Sequence, residues 1–345
     1  MLKYLAKRTV LAVFIMFCSA LLTFALICIM PGEAYSRMKI AIAAGGRDKL
    51  EATYNELLKS AGLDRPWIVQ FFAWIKGVIV DGSFGRPVYG AYHRDHGGDD
   101  ALTLRYLFRA GGELPISLVI CVTSVVIGLA LAVVFGALTL LPKLRWLYGL
   151  LTAISAPTVA IPGFVLAGLL LLFLVHFVDP LHAVPGLWGV CGWQYVGEPM
   201  SWAKFLGCLA RLTPVWFIVG MPVFATGLRV FRAAMKDQLG MLYVTVARGR
   251  GLPMRRVLLK HVSRNALNPL ISVAADVLPT VLVNTMLVGF MFGIPTYGDL
   301  LRTAVDWQDP APLATLMVFY SFVLVVGTLI ADIGLALADP RIRYT

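Results

Sequence analysis

The run Ala247-Arg248-Gly249-Arg250-Gly251-Leu252-Pro253 stands between two membrane-length apolar stretches, and its reading decides the rest of the chain. It holds two arginines and two glycines and no set of side chains suited to a reaction centre. Residues 239–246 before it are composed for one short helix, and those after Pro253 for another. Gly251 can take the positive φ that a tight helix-to-helix turn demands, and Pro253 suits a first helical turn. The segment reads as an elbow that projects from a membrane and docks on a partner.

Working outward, the chain is 59% hydrophobic and 14% charged, with a mean hydropathy of +0.80. A water-facing surface needs more charge than this, so an ordinary soluble domain is excluded. A hydrocarbon core of roughly 30 Å takes about 20 helical residues to cross. Uncharged runs of that order lie at 9–30, 114–141, 147–175, 277–297 and 311–330. A sixth, 212–228, is shorter and spans if Arg211 and Arg229 snorkel to opposite interfaces.

Six spans place both termini on one side, and the basic residues choose which. Lys3, Lys7 and Arg8, then Lys143 and Arg145, the arginine-rich stretch 229–264 and finally Arg341 and Arg343 all fall on one face, against the acids Asp237 and Asp339. That face is read as cytoplasmic. The net charge of +11 and a pI near 9.6 are accounted for by these loops and by anionic lipid, so nucleic acid is not an expected partner. The first span is too long for the apolar part of a secretory signal and is expected to be retained.

Residues 32–112 form an outer insertion. Within it, 48–59 has helical spacing of Leu50, Tyr54, Leu57 and Leu58, and 67–80 is apolar but too short and polar to cross, so it should lie in the interface or pack on the spans. The run His93-Arg94-Asp95-His96-Gly97-Gly98-Asp99-Asp100 offers metal-binding side chains at spacings that fix no coordination geometry, and reads as a solvated loop. No metal is expected. Cys18, Cys28 and Cys121 fall in spans as small packing residues, whereas Cys191 and Cys208 share an outer segment where a bridge is open to them.

No Gly-x-x-x-x-Gly-Lys-Ser/Thr loop occurs, so the chain lacks the usual cradle for ATP phosphates, and no hydrolase or zinc-protease motif replaces it. Polar residues inside spans are costly and therefore candidates. Asp276 is a lining or gate residue or else pairs between helices. Asn284 and Thr285 either line a water-filled path or hydrogen-bond a neighbour. Asp332, near the end of the last span, reads as an acid pairing with an inner-loop arginine. Two membrane aspartates also raise an intramembrane aspartyl protease, with Tyr297-Gly298-Asp299 as a half-site, and the pattern fits that poorly. A proton-coupled secondary transporter with Asp276 as carrier is the main alternative from another class.

The elbow resembles the "EAA" cytoplasmic loop of the membrane subunits of bacterial ATP-binding-cassette importers, in particular the permeases for dipeptides, oligopeptides and nickel. The similarity extends along the chain through Met30-Pro31-Gly32, Gly62-Leu63-Asp64-Arg65-Pro66 with Gln70, Gly82-Ser83-Phe84-Gly85-Arg86 and Leu114-Pro115. It continues through His261-Val262-Ser263-Arg264-Asn265-Ala266-Leu267 with Pro269, Phe292-Gly293-Ile294-Pro295 and Asp339-Pro340-Arg341-Ile342-Arg343. Three positions depart from the family's pattern. Thr245-Val246-Ala247 stands for Glu-Ala-Ala, Gly289 for a frequent Glu, and Thr296 for a frequent Gly.

The resemblance implies an all-α polytopic membrane protein of six transmembrane helices with the type I importer permease fold. Residues 1–31 are then the first helix, 32–112 a periplasmic insertion, and 113–345 a five-helix core with a cytoplasmic coupling loop at 236–268. It implies a pore-forming subunit, not an enzyme, in a bacterial inner membrane. The ATPase-coupling residues carried over are Tyr243, Ala247, Arg248, Gly249, Arg250, Gly251, Leu252, Pro253 and Arg256. Implied partners are a second permease subunit in a heterodimer, two ATPase subunits that hold ATP and Mg, and a periplasmic binding protein, peptides being the leading ligand. Implied mechanism is alternating access.

Overall fold

The computed structural model describes residues 2–29, 65–85, 103–108, 112–177, 201–306 and 310–338. The expectations at 48–59, at 93–100 and at Cys191 lie outside these residues. In chain order the helices are α1 (Leu2–Ile29), α2 (Trp67–Lys76), α3 (Leu104–Leu107), α4 (Glu113–Leu138), α5 (Arg145–Ala160), α6 (Gly163–Phe177), α7 (Trp202–Leu239), α8 (Leu242–Gly249), α9 (Asn268–Asp276), α10 (Leu278–Phe292), α11 (Tyr297–Asp306) and α12 (Pro310–Ala338). Short helical pieces Met254–Arg256 and Ser263–Asn265 flank a π-helical stretch, Val257–Val262, between α8 and α9. Among the described residues the extended pairing is an isolated bridge between Ser83 and Thr103.

Among the described residues, four helices are long and apolar enough to cross a membrane, or six spans if each of two bent pairs forms one. Large apolar side chains on their outer faces, among them Val10, Phe14, Val122, Val126, Leu169 and Leu172, stay exposed within the chain, as lipid-facing or subunit-facing positions do.

The run 147–175 is not one straight helix. It divides into α5 and α6, which meet at 110°. Pro162 marks the break: its ring disfavours the α region for the residue before it, and Ile161 is extended at φ −101°, ψ 132°. The Ile161 N–H donates to the Pro157 carbonyl at 2.8 Å, which closes the last turn of α5. A gentler bend of 46° separates α9 from α10, where Pro279 withholds a helical donor. The short sixth run, 212–228, is the middle of the 38-residue α7, which carries Pro214 and Pro222 inside it.

The contacts fall into two compact units. One comprises Met1–Pro115 and Tyr297–Val325. In it α2 turns Phe71 and Trp74 onto α1, with Phe71 edge-on to Phe17 and Phe24 at centroid distances of 5.5 Å each. The segment 67–80 thus packs on a span. Behind it, the Phe84 carbonyl accepts from Trp74 Nε1–H at 2.9 Å and from the Thr315 hydroxyl at 3.1 Å, which it shares with the Ala311 carbonyl. Gly85, at φ +97°, lets this strap lie against α12, since a Cβ there would stand 2.7 Å from that of Ala311.

The other unit comprises Ile116–Thr296 and Val326–Thr345, with α7 packed against α5, α6, α9 and α10. Small residues let α4 and α7 approach: a Cβ on Gly128 would meet the Gly220 carbonyl at 2.9 Å. Toward the end of α7, Phe231 and Met235 are buried with Val257, Leu258, Val262, Ala266 and Leu270, so the segment after the elbow is anchored in the unit's core.

Candidate functional site

The elbow forms because its glycine ends a helix. α8 stops at Gly249, and the chain reverses with Gly251 at φ +80°. Gly251 N–H donates to the Arg248 carbonyl at 2.9 Å and Leu252 N–H to the Ala247 carbonyl at 3.3 Å, the paired closure of a Schellman motif. Pro253 precedes the next helical piece as its N-cap and accepts from Arg256 and Val257 N–H. One face of the elbow is seated: Val244 is buried, and Tyr243, Ala247 and Leu252 pack on the Phe231–Met235 cluster. Tyr243 is further held through its hydroxyl to Gln238 Oε1 at 3.0 Å.

The other face is open. Arg248, Gly249, Arg250, Gly251, Pro253 and Arg256 are exposed, and beside them Leu242 is 84% and Val246 55% exposed. Four outward cations, with Arg255 the fourth, beside bare aliphatic side chains make a surface for a partner with an acidic, partly apolar groove. Tyr243 and Leu252, carried over as coupling residues, pack on the core at the elbow's base, and the exposed apolar residues Leu242 and Val246 carried no sequence signal because apolar residues are everywhere in this chain.

A second feature lies at the two helix breaks. A cavity of about 500 Å³ opens where α5 turns into α6 and α9 into α10, walled on a third side by Val219, Pro222, Val223 and Thr226 of α7. Asp276 and Asn284 both line it, with Thr158, Thr226 and Thr280 as further polar groups. Asp276 is exposed, and no cation pairs with it among the described residues. Asn284 rests on the first residue of α6, where a Cβ on Gly163 would come within 2.6 Å of its Oδ1.

Thr285 turns elsewhere: fully buried, it donates its hydroxyl to the Val281 carbonyl at 2.8 Å on its own helix. The threonines of the wall were not foreseen, though the Pro- and Gly-interrupted spans around them are a signal for where a membrane site forms. Asp332 keeps a partner in the structure. Cys18 and Cys121 are free thiols, and Cys208 is disulfide-bonded. Among the described residues no group of His, Cys, Asp and Glu could hold a metal ion.

Two of the departures from the family pattern meet in space. Gly289, in the last turn of α10, lies beside Thr296, whose methyl and hydroxyl occupy the place a Cβ on Gly289 would need. The side chain of Thr296 fills the space beside Gly289.

Known proteins match this chain throughout. Residues 124–344 match the family described as binding-protein-dependent transport system inner membrane component, and residues 1–93 the family of its N-terminal part. The dipeptide transport system permease protein DppB of Lactococcus lactis is 27% identical, over 99% of this chain and 100% of its own length. The oligopeptide transport system permease protein AppB of Bacillus subtilis is 27% identical over the whole of both chains, and the oligopeptide transport system permease protein OppB of Mycobacterium bovis 26% over the whole of both. With its apolar spans, its seated elbow and this end-to-end match, the chain belongs to the binding-protein-dependent transport system inner membrane components, the permease subunits of ATP-binding-cassette transporters.

Proposed function

We propose that this chain is one half of a heterodimeric pore that takes up di- and oligopeptides delivered by a periplasmic binding protein, by alternating access driven by two partner ATPase subunits. The observation that carries the reading is the elbow, a Schellman-closed turn with one face bonded to the core and a cationic, aliphatic face left bare. Such a surface suits transmission of force from a separate protein, because it is rigid on the inside and sticky on the outside.

In this reading ATP and Mg bind the ATPases. Closure of that pair draws the two permeases' elbows together through Arg248, Arg250 and Arg256, the bundle opens outward to receive the peptide, and hydrolysis resets it. The basic inner loops support cytoplasmic N- and C-termini in a bacterial inner membrane. The names of the relatives support peptides as cargo. A proton-coupled carrier has in its favour only the unpaired Asp276.

The test is uptake of a radiolabelled tripeptide into proteoliposomes holding the full complex and its receptor, with ATP on the ATPase side and a protonophore present. Uptake should require ATP and survive the protonophore. Uptake that ignores ATP and collapses with the protonophore would overturn the reading.

A further inference from the structure

We propose that the cavity at the helix breaks is a binding site for a primary ammonium group of the transported solute, with Asp276 as its counter-charge; the identity of that solute as a peptide with a free amino terminus rests on the import reading above. The lining holds one carboxylate and no basic side chain, so its charge has a definite sign. Asp276 has no cation of the chain's own to neutralise it among the described residues. A carboxylate that lies in a membrane-spanning region with no cation of the chain's own attracts one from a bound solute. Asn284, Thr158, Thr226 and Thr280 supply neutral donors and acceptors around it, the mixture a peptide backbone requires, and Val219, Val223 and Val281 supply the apolar remainder.

The volume suits the assignment. About 500 Å³ lies within the range of small-ligand sites, roughly 300–1,000 Å³. The cavity is also built and not accidental: the extended Ile161-Pro162 step holds α5 and α6 apart, and Gly163 leaves room for Asn284 beside the first turn of α6. At neutral pH a peptide's amino terminus, with a pKa of about 7.7–8.0, is largely protonated, whereas an acetylated one carries no charge.

The experiment reads the cavity directly. Thr280→Cys is introduced into the full complex in a background without other reactive thiols, and labelling rates are taken with a cationic and an anionic methanethiosulfonate, each scaled to its rate on free cysteine. The cationic reagent should be favoured by about tenfold. Asp276→Asn should remove that preference and Asp276→Glu keep it, co-elution of the subunits showing that each variant assembles. Trialanine at millimolar concentration should slow labelling, N-acetyl-trialanine should not, and the difference should vanish in Asp276→Asn.

An unchanged reagent preference in Asp276→Asn, or equal effects of the two peptides, overturns the site. The import reading fails separately, in the ATP and protonophore assay, which does not depend on the reporter cysteine.

Discussion

At Gly251 the backbone sits at φ +80° with no atom near the place of a Cβ, so a side chain there is opposed by conformation and not by space. Gly251→Ala should therefore cost about 1 kcal/mol locally and weaken co-purification of the ATPase, while Gly251→Pro, which also deletes the donor to Arg248, should abolish it. Gly249→Ala is the control: inside α8 and equally open, it should leave thermal stability unchanged or slightly raised. Arg248 is exposed, so Arg248→Glu should leave the melting temperature in place and remove ATP-driven uptake. Wild-type uptake in that variant would contradict the coupling role. At Gly289 the constraint is spatial. Gly289→Ala should lower the melting temperature, and adding Thr296→Gly should recover most of the loss, because the two positions share one volume.

Among the elements, the strap at 82–85 invites a test, since the Phe84 carbonyl gathers donors from α2 and α12. Gly85→Ala meets both a positive φ and the Ala311 side chain, and should destabilise the complex by about 2 kcal/mol or more, read as a fall in detergent melting temperature. Much of this level was legible. Uncharged runs located α1, α4, α10 and α12, and the glycine and proline of the elbow located its turn. The break in 147–175 was not, because a membrane tolerates proline inside a helix, as at Pro157, Pro214 and Pro222, and only the neighbours decide whether it kinks or breaks. Nor was the π-helical stretch Val257–Val262, a slip of the hydrogen-bond ladder that no residue type marks. The cavity lies at the first of these, the unforeseen break. Asp276 and Asn284 could be named from their polarity in spans, but three threonines among aliphatic residues have no periodicity to betray a shared wall.

For the whole molecule, the asymmetry of basic residues should hold the termini on the cytoplasmic face: a fluorescent protein fused after Thr345 should fold and fluoresce, and an alkaline phosphatase fused there should stay inactive. Active phosphatase would invert the topology and contradict the coupling role proposed for the elbow. The long helix α7 gives that geometry a further meaning. Thr226 of the cavity wall and Leu239, next to the elbow, lie on one continuous helix, separated by about 20 Å at 1.5 Å per residue, and the helix has no break between them. A joint would absorb small displacements before passing them on. This linkage has none, so a partner that grips the handle should pass its displacement to the wall with little backlash, and the chamber's dimensions should then be geared to that grip.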